Sequence, residues 1–238
     1  MIDTASGLRS LVDRARKTGV VALDTEFVWE RTYYPQLGLV QVGLSDDDCS
    51  LVDAAALDLT PLGEILEDPA IVKILHDAQQ DLSLLRRATG SAARNVFDTQ
   101  LAAGFVGLSA TASLQDLVQA LFDVTLPKTA TRTDWLRRPL SDEQVDYALD
   151  DVRYLPEARE ILLDRAERLG RAGWMAEELD AGDFAPGDVG AALRQVLGAL
   201  GVGDGGSATT AVASALGRLG LADGTHRDWV RARHRRKA

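Results

Sequence analysis

Four acidic side chains and one tyrosine stand at spacings that could bring them together. Asp24 and Glu26 lie two residues apart at the end of an apolar run that predicts a β-strand, so both side chains project from one face. Neighbouring carboxylates repel each other, and a bound cation would remove that repulsion. The alternative is a strand end that emerges into water, and the spacing alone leaves these two interpretations nearly even.

Tyr147 and Asp151 form a second pair, four residues apart, which places both on one face of a predicted helix. The adjacent Asp150 would point elsewhere. Asp81 follows His76 by five residues, at the start of another predicted helix. Taken separately, each has a simpler explanation. Tyr147 and Asp151 could be ordinary surface residues. Asp81 could compensate a helix dipole, and His76 could be a hydrogen-bonded histidine at a strand end.

Taken together, these acids indicate a metal site formed by Asp24, Glu26, Asp81 and Asp151. Carboxylates are hard oxygen ligands, which suit Mg²⁺ or Mn²⁺ rather than zinc. The lone Cys49 excludes a cysteine-rich zinc site and a disulfide framework. Two such ions about 4 Å apart can activate a water and stabilise a leaving 3′ oxygen in phosphodiester hydrolysis.

Predicted strands and helices carry these residues and follow one another along the chain. Apolar runs predict strands at 20–27, 37–44, 50–52, 71–75 and 95–97. Apolar spacing and capping signals predict helices at 60–67, from 82 to near Gly90, from Asp98 to about 105, around 114–121 and after a capping box at 141–144. Strands that are first antiparallel and then alternate with helices favour a mixed α/β sheet covered on both faces.

Composition limits the class of protein. The 238 residues, 46% of them apolar, suffice for one domain with a substantial core, or for one domain and a small appendage. No apolar run approaches the roughly 18–20 residues of a membrane span. The N-terminus lacks the pattern of a secretory signal. We therefore expect a cytoplasmic protein with no membrane partner.

The C-terminal part differs from the rest in glycine content and charge. Eleven of the 21 glycines fall between Gly182 and Gly224, which indicates a separate Gly/Ala-rich helical appendage over 180–238. The net charge of −10 argues against nucleic acid, yet the last 13 residues hold six Arg or Lys and one Asp. Such a basic tail is either a nucleic-acid arm or a solvated terminus, and the second is favoured from this feature alone.

Several ordered motifs resemble those of the ribonuclease D family. The three main ones are DTEF at 24–27 with RTYYPQLGLVQ at 31–41, HDAQQDL at 76–82 and YALDDVRYL at 147–155. Segments 97–100 and 132–140 are also family-like, and the similarity covers roughly residues 15–180. The spacing of Tyr147 and Asp151 is typical of the tyrosine branch (DEDDy) of the DEDD exonuclease superfamily. Several motifs in order are a specific signal.

The resemblance implies an RNase H-like core, a five-stranded mixed sheet flanked by helices, over residues 1–179. It implies a metal-dependent 3′–5′ exoribonuclease that releases 5′-monophosphates in tRNA or small RNA processing or turnover. The implied cofactors are two Mg²⁺ or Mn²⁺ ions, with no small-molecule cofactor. The implied partner is an RNA 3′ end, or single-stranded DNA.

The family pattern also implies a role for each candidate residue. Asp24, Glu26 and Asp151 would hold one ion. Asp24 would bridge to the second ion, which Asp81 would support directly or through water. Tyr147 would orient the attacking water, because a phenol with an ordinary pKa near 10 is a poor general base.

Candidate contacts to nucleic acid are Phe27, His76 and Lys128. Phe27 lies next to the acids and could stack on or wedge against a terminal base, as in single-strand binders, or it could belong to the core. Lys128 is a candidate phosphate contact. For Arg138, ordinary surface charge is slightly favoured over a phosphate contact. Tyr34 is assigned to structure.

Several alternatives stay open. The same chemistry could act on DNA or on very short oligonucleotides, or the fold could be an idle nucleic-acid-binding module. A serine or cysteine hydrolase is excluded, because Cys49 lies at a predicted hairpin and no Gly-x-Ser-x-Gly elbow is present. Residues 180–238 show no pattern of the helical RNA-binding domains (HRDC) of long family members. The natural substrate and the oligomeric state are not specified.

Overall fold

The computed structural model describes residues 1–29, 34–127 and 133–181. Within these ranges, five strands form one mixed sheet in the order β3-β2-β1-β4-β5. The strands are β1 (Val20–Val28), β2 (Gln36–Gly43), β3 (Cys49–Asp53), β4 (Val72–Leu75) and β5 (Val96–Asp98). The predicted five-stranded mixed sheet is confirmed.

The central strand β1 pairs antiparallel with β2 on one side and parallel with β4 on the other. β2 pairs antiparallel with β3, and β4 pairs parallel with β5. Parallel neighbours need a crossover connection: β4 reaches β5 through α3, and β1 reaches β4 through β2, β3 and α2. The register of β1 and β2 shifts where Glu26 faces Leu39 and Phe27 faces Leu37, which leaves Gly38 as the extra residue of a β-bulge.

The described residues also form eight helices, which lie on both faces of the sheet. They are α1 (Ala5–Thr18), α2 (Thr60–Glu67), α3 (Gln79–Thr89), α4 (Thr99–Phe105), α5 (Leu114–Phe122), α6 (Asp142–Arg153), α7 (Leu155–Arg168) and α8 (Ala172–Ala181). None of them is long and apolar enough to cross a membrane. The predicted appendage at 180–238 lies almost wholly outside the described residues.

Alternation along β1 divides the core into two layers. Val21 and Leu23 pack with residues of α1, α2 and α3 on one face. Ala22 packs with Val152 of α6 and with residues of α4, α5 and α7 on the other face. A smaller cluster beneath α6 contains Leu39, Leu51, Trp135 and Ala148. Side chains at positions 22, 24 and 26 therefore face α6.

Asp98 joins the starts of two helices. As predicted, it caps α4, because its Oδ1 accepts the N–H of Gln100 at 2.9 Å. The same carboxylate accepts the N–H of Asp77 at 3.1 Å and of Ala78 at 3.0 Å, in the turn that leads into α3. The start of α3, and with it Asp81, is thus fixed relative to the end of β5.

The predicted capping box at the start of α6 is confirmed. Ser141 Oγ accepts the N–H of Gln144 at 3.2 Å, and Gln144 Oε1 accepts the N–H of Ser141 at 3.0 Å. Gln144 Nε2 also donates to Thr133 Oγ1 at 2.8 Å. These bonds satisfy two of the N–H groups that a helix start leaves unpaired.

S141A removes the hydroxyl that accepts the Gln144 N–H. We expect the free energy of unfolding to fall by about 1 kcal/mol, and the melting temperature to fall by about 2–4 °C. The matched control is S113A, which breaks the equivalent capping box at the start of α5. Thermal and urea unfolding should show a similar loss for both variants, and unchanged stability of S141A would contradict this assignment.

Candidate active site

Three carboxylates converge beneath α6. One oxygen from each of Asp24, Glu26 and Asp151 lies within 4.8 Å of the others. β1 supplies the first two residues, which are partly buried, and α6 supplies the third, which is buried. We call this group the acidic triad. Because all three ligands are carboxylates, the triad fits a hard divalent cation such as Mg²⁺ or Mn²⁺.

Asp81, the fourth predicted ligand, lies beside the triad and not within it. It stands in the first turn of α3 and is buried. Thr25, whose side chain projects from the opposite face of β1, donates a hydrogen bond from Oγ1 to Asp81 Oδ1. The structure thus brings three of the four predicted ligands into one group, and the metal role of Asp81 stays a prediction.

The surroundings oppose the ionisation of all four acids. Burial first, and then the neighbouring carboxylates, raise the pKa of Asp24 well above its usual range. The same two causes raise the pKa of Glu26 to about 8 and the pKa of Asp151 to about 7. Burial raises the pKa of Asp81 to about 6, against the hydrogen bond from Thr25. Crowded carboxylates of this kind are typical of functional sites that bind a cation.

Gln41 holds one oxygen of Asp24. It is fully buried on β2, directly opposite Asp24. Its Nε2 donates to Asp24 Oδ2 at 3.2 Å, while its Oε1 has no hydrogen-bond partner among the described residues. The spacing along the chain indicates no role for Gln41, because its contact depends on the register of β1 and β2.

Tyr147 lies on the face of α6 that carries Asp151, as the spacing predicts. Its ring packs against Trp135, with ring centroids 6.1 Å apart and ring planes at 35°. Burial, followed by the charges of Asp151, Glu26 and Asp24, raises the pKa of Tyr147 above its ordinary value. The phenol therefore stays protonated over the physiological range, which suits a residue that orients a water by hydrogen bonding.

His76 has intramolecular partners for both ring nitrogens. Nε2 donates to the carbonyl oxygen of Ala112 at 2.9 Å, and Nδ1 lies 2.9 Å from Thr99 Oγ1. Burial lowers the pKa of His76, so the ring favours its neutral form. A contact of His76 with nucleic acid stays a prediction, and it would compete with these bonds.

Aromatic side chains follow Glu26 along the chain. Phe27 is partly buried, whereas Trp29 is 58% exposed. Tyr34 is 52% exposed, and the guanidinium carbon of Arg87 lies 3.6 Å from its ring centroid. The ring of Tyr34 is therefore a surface group in contact with Arg87, and its assignment to structure stays a prediction. Lys128 lies outside the described residues.

Comparison with known proteins agrees with this geometry. Residues 1–167 match the family model for 3′–5′ exonucleases. Over 181 residues, the chain is 50% identical to ribonuclease D of Desulfotalea psychrophila, with 76% of this chain and 48% of that protein covered. The chain therefore spans about half the length of the curated relatives it matches.

Solved structures share the fold. Ribonuclease D of Escherichia coli matches with a TM-score of 0.72 and 36% identity, over 84% of this chain and 54% of that chain. NrnC of Brucella melitensis bound to pGG matches with a TM-score of 0.61 and 29% identity, over 68% of this chain and 79% of that chain. These neighbours confirm the expected RNase H-like core. With its ordered motifs and acidic triad, the chain belongs to the 3′–5′ exonuclease family, as its resemblance to ribonuclease D predicts.

Proposed function

We propose that this chain is a 3′–5′ exoribonuclease that releases 5′-monophosphates from single-stranded RNA ends and requires a divalent cation. The observation that carries the proposal is the acidic triad, with the protonated Tyr147 one helical turn from Asp151. The relatives named ribonuclease D support RNA as the substrate. Processing or turnover of tRNA and other small RNAs is the proposed role.

The proposed cofactors are two Mg²⁺ ions, for which Mn²⁺ can substitute. Asp24, Glu26 and Asp151 would hold one ion, and Asp24 would be shared with the second. Asp81 would support the second ion directly or through a water. When bound, such ions acidify a water and offset the negative charge that builds on the phosphate. A further structure of NrnC, which holds Mg²⁺, supports this choice of metal.

The side chains of this protein orient the reactants. Gln41 engages one oxygen of Asp24, so the other oxygen of Asp24 can turn toward Glu26 and Asp151. Tyr147 keeps its proton, because burial and three nearby carboxylates raise its pKa. Its hydroxyl therefore orients the attacking water by a hydrogen bond and does not accept the proton of that water.

Aromatic groups that follow Glu26 along the chain suit a single-stranded end. Phe27 follows Glu26 directly, and the exposed Trp29 stands three residues beyond Glu26 on the same chain segment. The exposed Tyr34, with Arg87 over its ring, adds a cation beside an aromatic surface. Bases stack on such rings without regard to sequence. Lys128 is proposed to contact phosphates.

A second candidate substrate is a very short oligonucleotide. The pGG bound to NrnC, whose fold this chain shares, favours this alternative. The chemistry at the triad would be the same, and only the length of strand that the protein engages would differ. Comparing RNA of two nucleotides with RNA of about twenty nucleotides distinguishes the two candidates.

The proposed activity is tested with single-stranded RNA and DNA labelled at the 5′ end. With Mg²⁺ or Mn²⁺ we expect a ladder that shortens one nucleotide at a time from the 3′ end, and no products with EDTA. D24N should lower the rate by about 10²-fold or more, since it removes a charge from the triad. D47N, at an exposed acid of the β2–β3 turn, is the matched control and should cleave like wild type.

Internal cleavage products, or a ladder that persists in EDTA and in D24N, would contradict the proposal. Tight binding of RNA without any cleavage would assign the chain to the idle binding modules. A ladder on DNA and not on RNA would support the proposed chemistry and identify DNA as the substrate.

The raised pKa values also predict how stability depends on pH without metal. Because Glu26 and Asp151 have pKa values of about 8 and about 7, the folded protein binds more protons between pH 6 and pH 8 than the unfolded chain. Stability should therefore fall as pH rises through this window in EDTA. We expect a melting temperature at least about 4 °C lower at pH 8 than at pH 6, and a smaller difference with Mg²⁺.

The control for this pH effect is the D24N/E26Q variant, which relieves the repulsion but leaves other titrating groups in place. His76 has a lowered pKa and acts with the opposite sign, so the difference between wild type and D24N/E26Q isolates the triad. Equal slopes for the two proteins in EDTA would show that the triad is not the source.

A further inference from the structure

Arg138 connects the segment before α6 to two strands. Its Nε and Nη2 donate to the two oxygens of Asp53, each at 2.7 Å. Nη2 also donates to the carbonyl oxygen of Gly38 at 2.8 Å. Nη1 donates to the carbonyl oxygens of Trp135 and Arg137, both at 2.9 Å. All five N–H bonds of the guanidinium therefore have acceptors within the protein.

This arrangement differs from both interpretations of Arg138 made from the sequence. The side chain is 24% exposed and that of Asp53 is 7% exposed, so the pair is not an ordinary surface contact. A guanidinium with all its donors engaged has none left for a phosphate. Two parallel bonds to one carboxylate fix direction as well as distance, which a lysine at this position would not do.

The segment that Arg138 holds lies directly against the bulge of β2. A Cβ atom at Gly38 would stand 2.5 Å from the carbonyl oxygen of Trp135, so only glycine allows this approach. The Trp135 side chain is 2% exposed and packs with Leu39, Leu51 and Ala148. Arg138 and Gly38 thus set the depth at which Trp135 is inserted.

Trp135 in turn supports the ring of Tyr147, at a centroid distance of 6.1 Å. Tyr147 has Asp151 as its neighbour one helical turn further along α6. The position of the Tyr147 phenol on α6 therefore depends on Trp135 as well as on the helix. The chain of contacts runs from Asp53 through Arg138 and Trp135 to Tyr147.

We propose that the Arg138–Asp53 pair is a positioning device for Tyr147, which keeps the phenol where it can orient the attacking water. The inference rests on the proposed function. Arg138 acts through Trp135 and touches neither the substrate nor the triad. Its loss lets Trp135 move, so that the Tyr147 hydroxyl leaves the position required for attack.

The test compares R138A, Y147F and the double variant R138A/Y147F in single-turnover and steady-state cleavage of 5′-labelled RNA with Mg²⁺. Y147F should slow cleavage by about 10²-fold, and R138A by about 10–100-fold with KM changed less than about twofold. Because both changes act on one group, adding R138A to Y147F should slow cleavage by less than about threefold.

The matched control is R14A. Arg14 also pairs with both oxygens of one carboxylate, at 2.6 and 2.8 Å from Asp48, but it joins α1 to the β2–β3 turn. R14A should cleave like wild type. R138K should not restore the rate, since a lysine lacks the planar fork. If R138A fails to fold, W135F is measured in its place. W135F should likewise slow cleavage less in the Y147F background than in the wild type.

Three outcomes overturn the inference: R138A cleaves like wild type, it raises KM alone, or it slows Y147F by the same factor as it slows wild type. A wild type that does not cleave RNA, or a Y147F variant at full rate, points instead to failure of the proposed function. The melting temperature of each variant separates these effects from partial unfolding.

Discussion

Repulsion among crowded carboxylates determines how the candidate site must be built. Burial and mutual repulsion beneath α6 raise the pKa values of Asp24, Glu26 and Asp151, so without a cation the three are not all charged near neutral pH. The fold must therefore hold them together against an unfavourable energy in the metal-free protein. β1 keeps its place against this repulsion because it lies at the centre of the sheet, with a hydrogen-bonded strand on each side.

Packing on the two faces of the sheet serves this arrangement in different ways. On one face, Asp98 fixes the start of α3, and Thr25 bonds the acid that α3 carries. On the other, a capping box fixes the start of α6 and the segment before it is tied to β2 and β3. The proposed metal ligands are thus positioned by strand alternation and helix packing, whereas Tyr147 also depends on a contact from outside its own helix.

Local patterns predict much of the fold and the site. The spacing of Asp24 with Glu26, and of Tyr147 with Asp151, correctly places each pair on one face of its element. The predictions omit α1, α7 and α8, although Leu8, Leu11, Val12 and Ala15 recur at helical spacing in α1. Contacts that depend on tertiary register are beyond local patterns. Gln41 meets Asp24 across two strands, and Arg138 meets Asp53 across 85 residues.

Calorimetry of Mg²⁺ binding at pH 7, in two buffers with different heats of ionisation, tests directly whether the triad holds a metal. If the triad holds the metal, binding must displace protons from carboxyls with raised pKa values. We predict the release of about one proton per chain or more, and loss of both binding and release in D24N/E26Q. Binding without proton release, or equal binding by D24N/E26Q, would contradict the account.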